Sequence, residues 1–185
     1  MTGKPSMAWA SGGDGRPRSG AEELGTRPAG HPDQLRAWKA AGRVDSLGGG
    51  FCTRALIAPD LILTAAHCLV VPGGVAIVAN RITFRAGLAD YVALAEVPVL
   101  QTSAPERFGA SNPITVHDLL QDAALFRLAK SVPTSLADPF VVASPGTGDE
   151  VSVVFHAQGR EDARSWQRIC DVLGRQDGFI AVDCV

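Results

Sequence analysis

The sequence predicts an all-β chain, folded as a barrel or a sandwich. Three observations carry this. Apolar runs of strand length recur from about Ala37 onward, many rich in Val, Ile, Phe and Thr, which suit a pleated, half-buried surface. Turn chemistry separates them, as in "GGG" at 48–50, "APD" at 58–60 and "VPGG" at 71–74. Helical character is confined to "DQLRAWKAA" and a single turn at "TAAHCL".

The elements follow in order. The first 36 residues, with "MTGKPSMAWASGGDGRPRSGAEELGTRPAG" at their head, are rich in Gly, Pro, Ser and charge and read as a disordered segment. This stretch lacks the apolar core of a signal peptide. "AWKAAGRV" (37–44) reads as a strand because its amphipathic stripe is short and Gly42 and Val44 follow. "FCTRALIA" (51–58), "LILTAAHC" (61–68), "GVAIVA" (74–79), "ITFRAG" (82–87), "YVALAEVPVL" (91–100) and "AALFRLA" (123–129) are strand candidates. "LAKSVPTSLADPF" (128–140), with two prolines and polar spacers, is a linker candidate. "FVVAS", "VSVVFHAQ", "WQRICDVL" and "GFIAVDCV" continue the strand pattern to the end.

Composition narrows the function. Formal net charge is −2 with both signs interspersed, which gives no basis for nucleic-acid or membrane-surface binding. No apolar run approaches the roughly 20 residues of a membrane-spanning helix. The four cysteines fall into an early pair, Cys52 and Cys68, and a late pair, Cys170 and Cys184. Two local disulfides in an oxidising compartment and four reduced, buried thiols both fit that count. A metal site is disfavoured, because no C-x-x-C is present and Cys68 directly follows His67 on a strand-like run.

His67 draws attention through its surroundings. Two alanines precede it, and Cys52 lies sixteen residues before Cys68 across an expected strand–turn–strand. A bridge closing that loop would stabilise the chain by roughly 3 kcal/mol and fix the imidazole beside it. A general-base histidine also needs an orienting carboxylate. In "LLQDAALFRL" (119–128), Asp122 heads an apolar strand; Asp118 is the nearest rival, set off by Leu119 and Leu120.

These motifs carry a resemblance. "GFCTRALIAPDLILTAAHC" (50–68) resembles the histidine motif of trypsin-like, chymotrypsin-fold serine peptidases, and "DAALFRL" (122–128) resembles their aspartate motif. "AWKAAGRV" and the late "IC…VDC" look most like a bacterial branch of small secreted peptidases. The likeness covers about residues 37–185, and the order His then Asp fits the chymotrypsin type. It implies a double six-stranded antiparallel β-barrel, with residues 37–133 as the first barrel and 134–185 as part of the second. It implies catalytic roles for His67 and Asp122, and disulfides Cys52–Cys68 and Cys170–Cys184. It implies a protein or peptide substrate, a monomer, no cofactor and no metal, and an extracellular or periplasmic location.

The chain also departs from the pattern. None of its serines, at 6, 11, 19, 46, 103, 111, 131, 135, 144, 152 and 165, lies in a Gly-x-Ser-Gly turn. The expectation is therefore a chain cut before its nucleophile, with no peptidase activity of its own and an open second barrel. A peptidase homologue that lost the serine and acts as a protein-binding module is the alternative. Arg54 stands where the family usually has a small residue, and no Ile/Val-Val/Ile-Gly-Gly start precedes the first strand.

Overall fold

The computed structural model describes residues 27–28, 36–45, 51–71, 75–106, 115–157 and 160–184. Residues 1–26 and 29–35, the turns at 48–50 and 72–74, and Ser6, Ser11, Ser19, Ser46 and Ser111 lie outside them.

Alternation of side chains builds the first unit. Its strands are β2 (Ala41–Asp45), β3 (Phe51–Ala58), β4 (Leu61–Thr64), β7 (Thr83–Ala86), β8 (Ala95–Ser103) and β9 (Ala124–Leu128). Along β9, Ala124, Phe126 and Leu128 point inward while Leu125 and Arg127 face out. The same period-2 pattern places Leu56, Ile62 and Phe84 fully inside. Each face that must be buried finds its partner when the strands close in the order β2-β3-β4-β9-β8-β7, an antiparallel barrel with no open edge. Gly42 makes one of these pairings possible. A Cβ there would lie 2.3 Å from the Phe84 ring and 2.5 Å from the Arg85 carbonyl oxygen.

A small ribbon, β5 (Val70–Val71) with β6 (Val75–Ala76), projects beside the barrel. The second unit is a four-stranded antiparallel sheet. Its centre is β11 (Arg160–Gln176), which pairs with β10 (Glu150–Ala157), β12 (Phe179–Cys184) and the short β1 (Arg27–Pro28). Among the described residues this sheet does not close. Cys170 and Cys184 face each other across β11 and β12 and form a disulfide. The fold is therefore all-β, with one complete barrel and one incomplete sheet. No helix among the described residues is long and apolar enough to cross a membrane.

Specific contacts among the described residues join the two units. Trp38 packs between Phe140 and Trp166, with ring centroids 6.1 and 5.8 Å away. The Phe140 amide donates to the Leu56 carbonyl at 2.8 Å, and the His156 amide donates to Thr53 Oγ1 at 2.8 Å. Arg164 donates from Nη1 to the Trp38 carbonyl.

Several expected elements differ. The strand expected over 37–44 starts only at Ala41, because Arg36–Trp38 forms a 3-10 turn that delivers Trp38 to the junction. Residues 91–92 do not extend β8; they belong to a tight turn in which Asp90 and Tyr91 both have positive φ. "FVVAS" forms no strand, and Val141 and Val142 are exposed. The linker runs from 129 to 149, and its Val132 and Ala137 are buried against the barrel core. Arg27–Pro28, within the stretch read as disordered, forms β1.

His156 gives the junction a pH dependence. It is buried, and neither ring nitrogen has a hydrogen-bond partner. Burial first, then the positive charges of Arg164 and Arg43, push its pKa from 6.5 to about 4 against the opposing pull of Asp45. The unfolded chain then binds a proton that the folded chain refuses. Stability is complete above about pH 6.5 and falls as the pH drops towards 4, by up to about 3 kcal/mol. Urea unfolding at pH 7 and pH 4.5 should show this loss, and His156→Gln should flatten much of it. An equal loss in both proteins would place its origin elsewhere.

Candidate active site

The register of two neighbouring strands sets the site. β4 and β9 pair with Thr64 opposite Ala124. The chain leaves β4 just where it enters β9, so His67 and Asp122 emerge at the same end of the barrel. Beyond β4, residues Ala66–Leu69 form a 3-10 turn, with the Cys68 amide donating to the Ala65 carbonyl at 3.3 Å. Ala66 is fully buried, which only a small side chain permits this close to the core. The Cys52–Cys68 disulfide ties the turn to β3.

Asp122 is delivered by a different device. A short helix, α1 (Val116–Leu120), precedes it, and no signal in the apolar pattern predicted this helix. Its signature was the Thr-x-x-Asp at 115–118, a capping box. Asp118 Oδ2 accepts from the Thr115 amide at 2.8 Å and from Thr115 Oγ1 at 2.6 Å. Thr115 Oγ1 in turn accepts from the Asp118 amide at 3.2 Å. Asp118, the rival carboxylate, thus caps the helix. The helix then hands over to the site, since the Asp122 amide donates to the Leu119 carbonyl at 3.3 Å.

The structure brings His67 and Asp122 together. Asp122 Oδ2 lies 2.6 Å from His67 Nδ1, and Oδ1 accepts from the His67 amide at 2.8 Å. One carboxylate therefore holds both the ring and the main chain of the same residue. With Nδ1–H donating to it, the neutral imidazole carries its lone pair on Nε2. The histidine side chain is 60% exposed and the aspartate 19%. A base open to incoming molecules and a shielded orienting acid suit proton transfer.

Other candidates resolve physically. Cys52, His67 and Cys68 bring ligand-type atoms within 4.8 Å of one another, but both sulfurs are in a disulfide and offer no thiolate. Ser165 is fully buried, and the Ser152 hydroxyl donates to the Arg168 carbonyl at 2.6 Å. Arg54, which sequence reasoning placed in an awkward spot, lies inside with its guanidinium over the Phe126 ring, 4.3 Å from the centroid. Burial lowers its pKa to about 9, so it stays charged at neutral pH.

The family model described as Trypsin matches residues 27–168. The chain belongs to the trypsin family. Solved protease structures share the fold. The structure of Glu endopeptidase in complex with MPD superposes with a TM-score of 0.62 and 18% identity, covering 83% of this chain and 70% of that one. Protease Anisep from Arthrobacter nicotinovorans gives 0.56 and 14%, covering 74% of this chain and 66% of that one. Vibrio cholerae VesB protease gives 0.54 and 16%, covering 75% of this chain and 42% of that one. No curated protein matches by sequence. The two disulfides of this trypsin-family chain fit an extracellular or periplasmic setting.

Two outcomes follow from this geometry. Removing the capping hydroxyl with Thr115→Ala should destabilise the chain by about 1 kcal/mol. It should also broaden the low-field proton signal of the His67 Nδ1–H, and Thr115→Ser should restore the signal. An unchanged signal in Thr115→Ala would show that the cap does not hold the carboxylate. Replacing both Cys52 and Cys68 by Ala should lower unfolding stability by roughly 3 kcal/mol, read from chemical denaturation without reductant.

Proposed function

We propose that this chain carries the general-base part of a serine endopeptidase site. His67 takes a proton at Nε2 from a serine hydroxyl as the hydroxyl attacks a peptide carbonyl, then returns it to the leaving amine. Asp122 keeps the proton of the neutral ring on Nδ1 and stabilises the imidazolium that forms. The serine oxygen becomes acylated as the peptide C–N bond breaks and the amine leaves, and water then hydrolyses the ester, so the reaction is peptide-bond hydrolysis through an acyl-enzyme. The observation that supports this reading most is the double contact from Asp122 to the ring and the amide of His67. These roles follow the established template of the family. The substrate is a protein or peptide, and the protein works as a secreted monomer.

The nucleophile is the part that residues 1–185 do not provide in the family's motif, because none of their serines lies in Gly-x-Ser-Gly. The 185-residue chain itself is therefore inactive. That same observation favours a second reading, a peptidase homologue that binds proteins without cutting them. Casein and short peptide substrates, incubated with the purified 185-residue chain, should remain uncut. Turnover that disappears in His67→Ala would refute this inactivity. A gene product extended through a Gly-x-Ser-Gly should cleave them, and its kcat should fall by about 10⁶-fold in His67→Ala and about 10⁴-fold in Asp122→Ala. An extended product that reacts with no serine-directed phosphonate, and cleaves nothing, would leave the binding module as the correct reading.

A further inference from the structure

Three atoms able to ligate a metal meet at the turn after β4. The sulfurs of Cys52 and Cys68 and a ring nitrogen of His67 all lie within 4.8 Å of one another. On a strand, the neighbours His67 and Cys68 would point apart. The 3-10 turn Ala66–Leu69 replaces that strand and brings both to Cys52. A tetrahedral zinc ion, bound at about 2.3 Å to each thiolate and about 2.0 Å to imidazole, sets its donors roughly 3.5–3.8 Å apart. The two sulfurs would part from the roughly 2 Å of a disulfide to that separation, and the ring would close by about 1 Å. Side-chain rotation supplies movements of this size.

The imidazole is already prepared for a metal. Asp122 Oδ2 lies 2.6 Å from Nδ1, so the lone pair left for an ion is on Nε2. A carboxylate on the far ring nitrogen is the usual support of a zinc-bound histidine, where it fixes the tautomer and raises the basicity of the ligand. The histidine side chain is 60% exposed, which lets an ion reach it and leaves room for water as a fourth ligand. Cys68 is buried and Cys52 partly so, which shields the sulfurs. Opening the bridge would not scatter these groups. β3 and β4 stay paired, with Ala55 opposite Leu63 and Ala58 opposite Leu61, inside a closed barrel. Among the described residues no such group of ligands forms around Cys170 and Cys184.

We propose that the reduced chain holds a zinc ion on Cys52, His67 and Cys68. A dithiol reductant passes two electrons and two protons to the bridge and leaves as its own disulfide. The Cys52–Cys68 bond breaks, and zinc displaces one proton from each thiol as the two Zn–S bonds form. Oxidation by a disulfide reverses the sequence: the two sulfurs rejoin, the oxidant becomes two thiols with protons from water, and the ion leaves. With zinc on Nε2, His67 has no lone pair with which to take a proton. The bridge that fixes the imidazole thus also sets whether it acts as a base or as a ligand. This inference rests on the geometry of His67 and Asp122 and not on the peptidase reading. An extended chain that cleaves peptides, but whose reduced form takes up no zinc, would overturn this inference alone.

Zinc and cobalt(II) are the probes, on the full 185-residue chain opened with a phosphine, which does not compete for metal as a thiol does. Against a chromophoric chelator, the reduced chain should bind zinc at least about a hundredfold more tightly than the disulfide form. Cobalt(II) should give thiolate-to-metal charge-transfer absorption. Cys170→Ser with Cys184→Ser should keep both signals, and Cys52→Ser with Cys68→Ser should lose them. Asp122→Ala should weaken zinc about 10–100-fold, and His67→Ala at least as much. Oxidised glutathione should expel the ion. Zinc should also shift the ring-proton resonances of His67 in the unmutated reduced chain, a readout that needs no folded variant. Equal affinity in the reduced and disulfide forms would overturn the proposal. So would undiminished binding in His67→Ala, or His67 resonances that zinc leaves in place, either of which would make this a site of two thiolates alone. A reduced chain that unfolds and takes up no zinc would overturn it as well, because the barrel must present the ligands.

Discussion

The pairing of β4 with β9 is the constraint on which the rest of this structure depends. It is a barrel-closing contact first, putting Ile62 and Phe126 opposite each other in the core. It is also the contact that fixes the site. Because a one-residue slip would turn every side chain of the strand to the other face, the buried pattern of β9 opposes such a slip. With Thr64 opposite Ala124, the turn after one strand and the residue before the other must meet. The positions of His67 and Asp122 are thus inherited from core packing, and no loop has to search for them. The disulfide and the capped helix hold the two approaches to a meeting point already chosen.

The junction between the units follows a different rule. The barrel interior is largely apolar, and the interface collects further buried polar groups with incomplete partners. His156 and Arg164 lie there, and each has at least one ring or guanidinium nitrogen unpaired. Such groups lower stability, since desolvation is not matched by hydrogen bonds. The contacts that do cross, Trp38 against Phe140 and Trp166 and the amides of Phe140 and His156, orient the second sheet on the barrel. The closed barrel is the part of the chain with its own complete core.

How much of this the sequence disclosed depends on the range of the forces involved. The all-β class was legible because period-2 burial leaves a mark in every strand, as in "ALFRL". The pairing of His67 with Asp122 was legible through motif likeness, and the structure places the two side chains in contact. The two disulfides were open on cysteine count alone and were indicated by the same likeness. Other features were hidden because long-range packing decides them. Trp38 gives up a strand for a turn only because Phe140 and Trp166 wait for it more than a hundred residues away. The helix at Val116–Leu120 is too short for periodicity, so only its Thr115–Asp118 cap betrayed it. The burial of Arg54 could not be read from a strand whose neighbours are small and apolar; it depends on Phe126 arriving from β9.

The carboxylate of Asp122 accepts two donors at once, one from the main chain and one from the ring of His67. An asparagine in its place would bring a single acceptor oxygen and an NH₂ group. If the oxygen stayed on the backbone amide, the NH₂ would confront Nδ1–H, donor against donor. The imidazole would escape by moving its proton to Nε2 and turning a bare Nδ1 towards the carboxamide. Its outward face would then present hydrogen where it had presented an electron pair. The neutral side chain that most closely copies the shape of the aspartate is, for this reason, the one that reverses the polarity of the histidine.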